Sequence, residues 1–420
     1  MTSRVPTGAG LSGPLHIFGL SALAFSMMFS YALARPSVES LFLAAHGSEA
    51  LPWVWLLVTV TMMAGVARYN RHVHGQPLLK LLATIAWLSS LVAAVLLVGH
   101  GRAVPGVGFA LYVWKDLYII FLIEIFYSYT NVLFSIQTAR WLYGLFGALA
   151  ALGGVAGAVV TRTLAPVLGT AMVLWTVPGL LILIGLLAWS LSPGTATTPA
   201  SPDEVPTIRS AVKRLWSSDY LLLILLLVGL SQAAITLVDF QFNQVIEEAY
   251  RDMDERTAIM GLVYGTVNAA TVALNLLAGP LLRLLGAPIT LLSVPLLLTA
   301  GVGVFYATPL FATAAAVKIA SKCFDYSIFR AAKEILYIPL GFDDKTQGKA
   351  LVDMVTYRAA KGCTSLALVV VVVAQTPWFV GLLLMGTLVA WVMVTLTVGR
   401  RFRQRVSRRQ ELSRPPRSAP

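Results

Sequence analysis

The chain has 420 residues, 57% of them hydrophobic and only 12% charged, with a mean hydropathy of +0.78. A soluble protein carries roughly 25% charged residues, so this composition excludes an ordinary soluble domain and points to a polytopic membrane protein. The formal net charge of +12 does not mark a nucleic-acid binder. Its surplus lies in short turns and in the Arg400–Arg409 tail, where basic residues orient a membrane protein and meet anionic lipid.

Hydropathy with turn and charge punctuation predicts an all-α protein of about twelve spans. The first apolar run, about 15–35, ends in Ala32-Leu33-Ala34, which imitates a signal-peptidase site. Its length exceeds the ~7–15 residues of a signal-peptide core and a polytopic chain follows, so it reads as a first span. Pro36, Gly47 and Pro52 separate it from a second span at about 50–68. Spans follow at about 79–99, 109–136, 140–165 and 171–192. Residues 193–215 form a linker rich in Pro, Ser and Thr, leading to a short amphipathic stretch with Arg209, Lys213 and Arg214. Six more spans are expected at about 219–241, 258–282, 287–307, 309–335, 348–374 and 377–399, with breaks at Gly286/Pro288 and Gln375-Thr376-Pro377. The expected organisation is a six-helix half over 1–192, a cytoplasmic linker over 193–215, a second half over 216–400 and a basic tail over 401–420.

Charge orients this arrangement. Arg68, Arg71, Lys80, Arg140, Lys213, Arg214, Arg283, Lys333 and Lys345 fall on one side, whereas Glu39, Glu49 and the acidic run from Glu247 to Glu255 fall on the other. The Lys and Arg bias puts both termini in the cytoplasm of an inner-membrane protein. Six plus six spans around a cytoplasmic linker is similar to the two-halves architecture of major-facilitator-like transporters.

The remaining charges lie within apolar spans, where ionisable groups are costly and mark substrate or ion paths. Span 1 ends with Arg35 and, one turn on, Glu39. Span 4 carries Lys115, Asp116 and Glu124, and span 7 carries Asp239. Span 10 carries Lys318, Lys322, Asp325, Arg330, Lys333 and Glu334. On an unbroken helix Lys318, Lys322, Asp325 and Lys333 fall within roughly 80° of one another, a cationic stripe. In the two-halves fold the first and fourth helices of each half line the central cavity, and these charges select them. The structural alternative is pairing that locks spans together, such as Lys318 with Asp325. Excess buried cations instead call for an anionic partner.

Span 5 repeats Gly144, Gly147, Gly153, Gly154 and Gly157, and Gly153-xxx-Gly157 is a close-packing motif. No nucleotide-hydrolysing GxxxxGK[ST] loop is present, the five histidines have no metal-binding spacing, and no catalytic constellation or cofactor motif emerges. Cys323 and Cys363 read as reduced packing residues.

One resemblance covers nearly the whole chain. Lys333-Glu334-Ile335-Leu336-Tyr337-Ile338-Pro339-Leu340, followed by Lys345-Thr346-Gln347-Gly348-Lys349-Ala350 and then Asp353, resembles the signature of the nucleotide transporters of plastids and obligate intracellular bacteria. Gln137–Arg140 running into the Gly-rich span, Leu237–Phe242 and Tyr31–Arg35 are similar to the family elsewhere. Members exchange ATP for ADP or import nucleotides with protons. The resemblance implies that Asp116 and Asp239 are the acids of spans 4 and 7 and Lys333 the base of span 10. The family's span 1 Lys falls at Val38, a departure that leaves Arg35 or Lys115 to supply the cation.

The reading is therefore a secondary transporter, not an enzyme, that carries a small anion, a nucleotide foremost, by alternating access. Its candidate site residues are Arg35, Lys115, Asp116, Asp239, Lys318, Lys322, Asp325, Lys333, Lys349 and Asp353. The alternatives are a carrier of another organic or phosphorylated anion, or a membrane sensor or scaffold that does not transport.

Overall fold

The structure, a computed structural model, describes residues 13–72, 75–134, 136–192, 218–340 and 356–412. The expected linker at 193–215, its Arg209–Arg214 stretch and the Lys345–Asp353 part of the signature lie outside the described residues. Every regular element among them is a helix, and the chain is an all-α, multi-pass membrane protein. It divides into two compact units, residues 1–203 with 247–269, and residues 204–246 with 270–420.

In the first unit, α1 spans Pro14–His46 and a 3-10 turn at Ser48–Ala50 leads to α2, Leu51–His72. There follow α3 (Leu78–Gly101), α4 (Val107–Leu133), α5 (Ile136–Leu168) and α6 (Thr170–Ser190). α1 packs on α4, α5 and α6, α3 packs on α4 and α6, and α2 packs on α4.

α1 runs eleven residues beyond the expected end of span 1, straight through Pro36. A proline lacks the N–H that would bond the carbonyl four residues back, here Ala32 O. Thr161 Oγ of α5 lies 3.1 Å from that oxygen and 2.9 Å from Gly157 O, sharing its proton between them. A hydroxyl from a neighbouring helix thus restores the acceptor's partner, as a bilayer requires. Glu39, expected in a loop, is consequently a helical residue and buried. The helix stops only at Gly47, whose φ of 71° lies in the left-handed region.

The Gly-rich face of α5 meets α1. A Cβ at Gly157 would stand 2.6 Å from Phe29 O, and one at Gly153 would collide with the carbonyl of Phe25. Lipid tails are as apolar as leucine, so such close backbone contact and interhelical hydrogen bonds supply the cohesion that water would drive elsewhere. Gly144 and Gly147, by contrast, face open space.

Most of the second unit comes from α7 (Asp219–Ala249), α8 (Met253–Ala307), α9 (Phe311–Phe324), a π turn at Asp325–Phe329, α10 (Arg330–Leu336), α11 (Tyr357–Val373) and α12 (Trp378–Leu412). The first turns of α8 and the end of α7 belong to the first unit. The 55 residues of α8 are about 80 Å of helix, more than twice a ~30 Å hydrocarbon core. Gly286, with φ 76° and ψ 159°, breaks it between the two expected spans. Gln375, with φ 52°, marks the second expected break, between α11 and α12.

Among the described residues, eight helices are long and apolar enough to cross a membrane by length and composition. α4 is long enough at 27 residues but is loaded with Lys115, Asp116 and Glu124. The π turn separates α9 from α10.

α12 carries the expected basic tail onward as helix through Leu412. Arg405 stacks 4.7 Å from the Tyr220 ring centroid, and the Tyr220 hydroxyl donates to Leu336 O at 3.0 Å. This arginine therefore ties α12 to α7 as well as adding to the basic surface.

Candidate functional site

The first unit gathers Arg35, Lys115 and Asp116 around Glu39. Arg35 and Glu39 are one turn apart on α1, with Arg35 Nε 3.1 Å from Glu39 Oε1. Lys115 of α4 reaches the same oxygen at 3.4 Å and Asp116 Oδ1 at 2.8 Å. Lys115 is 1% exposed and Glu39 4%. At that depth an unpaired charge is strongly disfavoured, and two cations against two carboxylates make a balanced cluster.

Aromatic rings complete it. Lys115 Nζ lies 3.8 Å from the Tyr112 ring centroid and the Arg35 guanidinium 4.0 Å from that of Tyr264, where the ring quadrupole favours a cation. Trp55 Nε1 donates to the Tyr112 hydroxyl at 2.8 Å and holds that ring in place. The Tyr264 hydroxyl donates to Glu39 Oε2.

The second unit has a different balance. Lys318 and Lys322, one turn apart on α9, both reach Asp239 of α7, at 2.6 Å and 2.8 Å. Both ammonium groups are buried and share one carboxylate. Lys318 therefore pairs with Asp239, an acid on a different helix.

Asp325 lies further along the same segment, within electrostatic reach of Lys322. It accepts from Gln232 Nε2 at 3.1 Å, and with Gln232, Arg330, Lys333, Glu334 and Tyr357 it lines a cavity of about 340 Å³. The expected single stripe thus resolves into two stations. An extra residue in a π turn rotates everything after it by about 100° relative to an unbroken helix. Arg330, which a straight helix would carry off the stripe, consequently lines the same cavity as Asp325 and Lys333.

Eight of the ten candidate residues fall into these groups: Arg35, Lys115 and Asp116 in the first unit, and Asp239, Lys318, Lys322, Asp325 and Lys333 in the second. Lys349 and Asp353 lie outside the described residues. Val38 is buried at 1% exposed on α1, beside the Glu39 cluster in sequence.

Sequence reasoning missed Glu39 and Tyr264 as partners of Arg35. The i,i+4 spacing of Arg35 and Glu39 was a signal that the helix continues past Pro36. Nothing local announces Tyr264, 225 residues from Glu39 along the chain. Cys323 is buried as expected, whereas Cys363 is exposed on the protein surface and is not a packing residue; both are free thiols.

In each unit, lysines buried on apolar helices are suited to meeting an anionic group. Solved structures place the fold. The nucleoside transporter NupG superposes with a TM-score of 0.66 over 93% of this chain and 99% of its own, at 10% identity. A bacterial homologue of the iron transporter ferroportin, in an inward-facing state, does so with a TM-score of 0.66 over 93% and 99%, at 13% identity. Likeness at such identity speaks of fold alone.

Sequence comparison is more specific. Residues 195–402 match the family model for the TLC ATP/ADP transporter. The matched stretch contains Asp239, Lys318, Lys322, Asp325 and Lys333. The similarity extends beyond it: ADP,ATP carrier protein 1 of Chlamydia muridarum is 25% identical over a match covering 90% of this chain and 88% of the carrier. The chloroplastic ADP,ATP carrier protein 2 of Arabidopsis thaliana is 27% identical over 49% of this chain and 37% of its own.

Proposed function

We propose that the protein is a secondary transporter of nucleotides, working by alternating access, built of twelve spans in two six-helix halves. Its setting is the inner membrane, with both termini in the cytoplasm. The match to the ATP/ADP transporter model and the carrier relatives support the substrate class. The observation that carries the reading is the pair of buried lysines, Lys318 and Lys322, one turn apart on α9 and both reaching Asp239. Buried ammonium groups clustered on apolar helices mark a path for an anion that comes and goes.

Phosphate groups would be held by Lys318, Lys322, Lys333 and Arg35, the lysines as point charges and the guanidinium bidentately. Asp116 and Asp239 would take these cations back when substrate leaves, as their pairings with Lys115, Lys318 and Lys322 suggest. The chain would carry out no catalysis.

A second reading, transport of a different organic or phosphorylated anion, is favoured by Val38, an apolar residue where the family resemblance implies a lysine. Counter-exchange in proteoliposomes separates the two. Labelled ATP outside should exchange with unlabelled ATP or ADP inside, and Lys333→Ala should abolish exchange in a protein that still inserts. Exchange of another anion with none of any nucleotide selects the second reading, and undiminished exchange by Lys333→Ala removes that lysine from the site.

A further inference from the structure

We propose that Glu39 is a positioning residue that couples substrate to the opening of a seam, by latching α1 to the 247–269 segment until an anion draws Arg35 and Lys115 away from it. The proposal rests on the reading of Arg35 and Lys115 as substrate-facing cations. Glu39 divides its two oxygens between two tasks. Oε1 faces Arg35 at 3.1 Å and Lys115 at 3.4 Å, while Oε2 accepts the Tyr264 hydroxyl. Arg35 in turn covers the Tyr264 ring at 4.0 Å. Tyr264 is thus held on α1 through its edge and its face by residues that also meet the candidate substrate cations.

The same seam has other fastenings of a different kind. Arg256 Nη2 donates to Ser40 O at 3.0 Å, and the Ser48 N–H donates to Glu247 Oε2 at 2.8 Å. These bonds keep the two segments in register but have no link to Arg35 or Lys115. Glu39 has that link, and its burial makes it sensitive. A carboxylate at 4% exposure that loses both cations gives up the charges that offset its burial, a state that burial penalises heavily. A phosphate presents more charge than a carboxylate and matches the guanidinium fork. Its arrival weakens the Arg35–Glu39 and Arg35–Tyr264 contacts together, and the seam loses the fastening that senses substrate.

The test uses the full chain in lipid nanodiscs, with Cys323→Ala and Cys363→Ala to remove native thiols and Ser48→Cys as the reporter. Ser48 is 7% exposed, and its bond to Glu247 is made by the backbone, so the substitution leaves that bond in place. The rate of maleimide modification and the binding of ATP are measured on the same samples. ATP should speed modification at least about fivefold, the low end of an ordinary coupling between two sites. Glu39→Gln and Tyr264→Phe, the latter keeping the ring, should react fast without ATP and lose the response while still binding it. Modification that ignores ATP in a protein that binds it, or substituted proteins that behave like the parent, overturns the latch. Absence of ATP binding by the parent overturns instead the nucleotide reading beneath it.

Discussion

The two charge clusters are made of similar residues and balanced differently. In the first unit Arg35 and Lys115 face Glu39 and Asp116, so each cation has a carboxylate and the group is neutral within itself. In the second, Lys318 and Lys322 share Asp239. A neutral cluster can lose one member and redistribute its contacts. The second cluster sets two ammonium groups on one shared carboxylate, with Asp325 within electrostatic reach of Lys322. The second unit thus concentrates lysines on a shared acid, whereas the first sets each cation against an acid.

The sharpest way to break this comparison is to remove one carboxylate from each cluster. Asp239→Asn removes the carboxylate that two buried ammonium groups share and should destabilise the protein by about 3–5 kcal/mol, read as a fall in unfolding midpoint in nanodiscs and a loss of monodisperse yield. Glu39→Gln should cost less than half as much in the same assay, because Lys115 keeps Asp116 at 2.8 Å. Equal losses would show that the extra carboxylate of the first unit confers no tolerance.

Smaller effects sharpen what holds each cluster in place. The first unit relies on close backbone approach, so Gly157→Val, pressed against Phe29 O, should lower stability by about 1–3 kcal/mol. Thr161→Val removes the hydroxyl that serves Ala32 O beneath Pro36 and should cost about 1 kcal/mol. Its telling consequence would be faster hydrogen exchange over the Pro36–His46 turns that carry Glu39. In the second unit Arg405→Ala gives up a stacking contact on Tyr220 and should cost about 0.5–1 kcal/mol, measured by the same unfolding midpoint.

Much of this protein is legible in its residue order because a bilayer imposes local rules. Helix content, the break at Gly286 and the turn at Gln375 follow from runs of apolar residues and from glycine, proline and polar punctuation, each a property of neighbours in sequence. The segments that carry charge were equally visible, since a lysine in an apolar run needs no partner to be noticed. The choice of partner is another matter. That Lys318 meets Asp239 of another helix, that Glu39 lies inside a helix, and that Arg330 joins Lys333 at one cavity depended on contacts between distant segments and on one π turn. Tertiary structure decided these because a buried charge takes whichever opposite charge packing brings within reach, and a proline ends a helix only where no neighbour supplies the hydrogen bond it lacks.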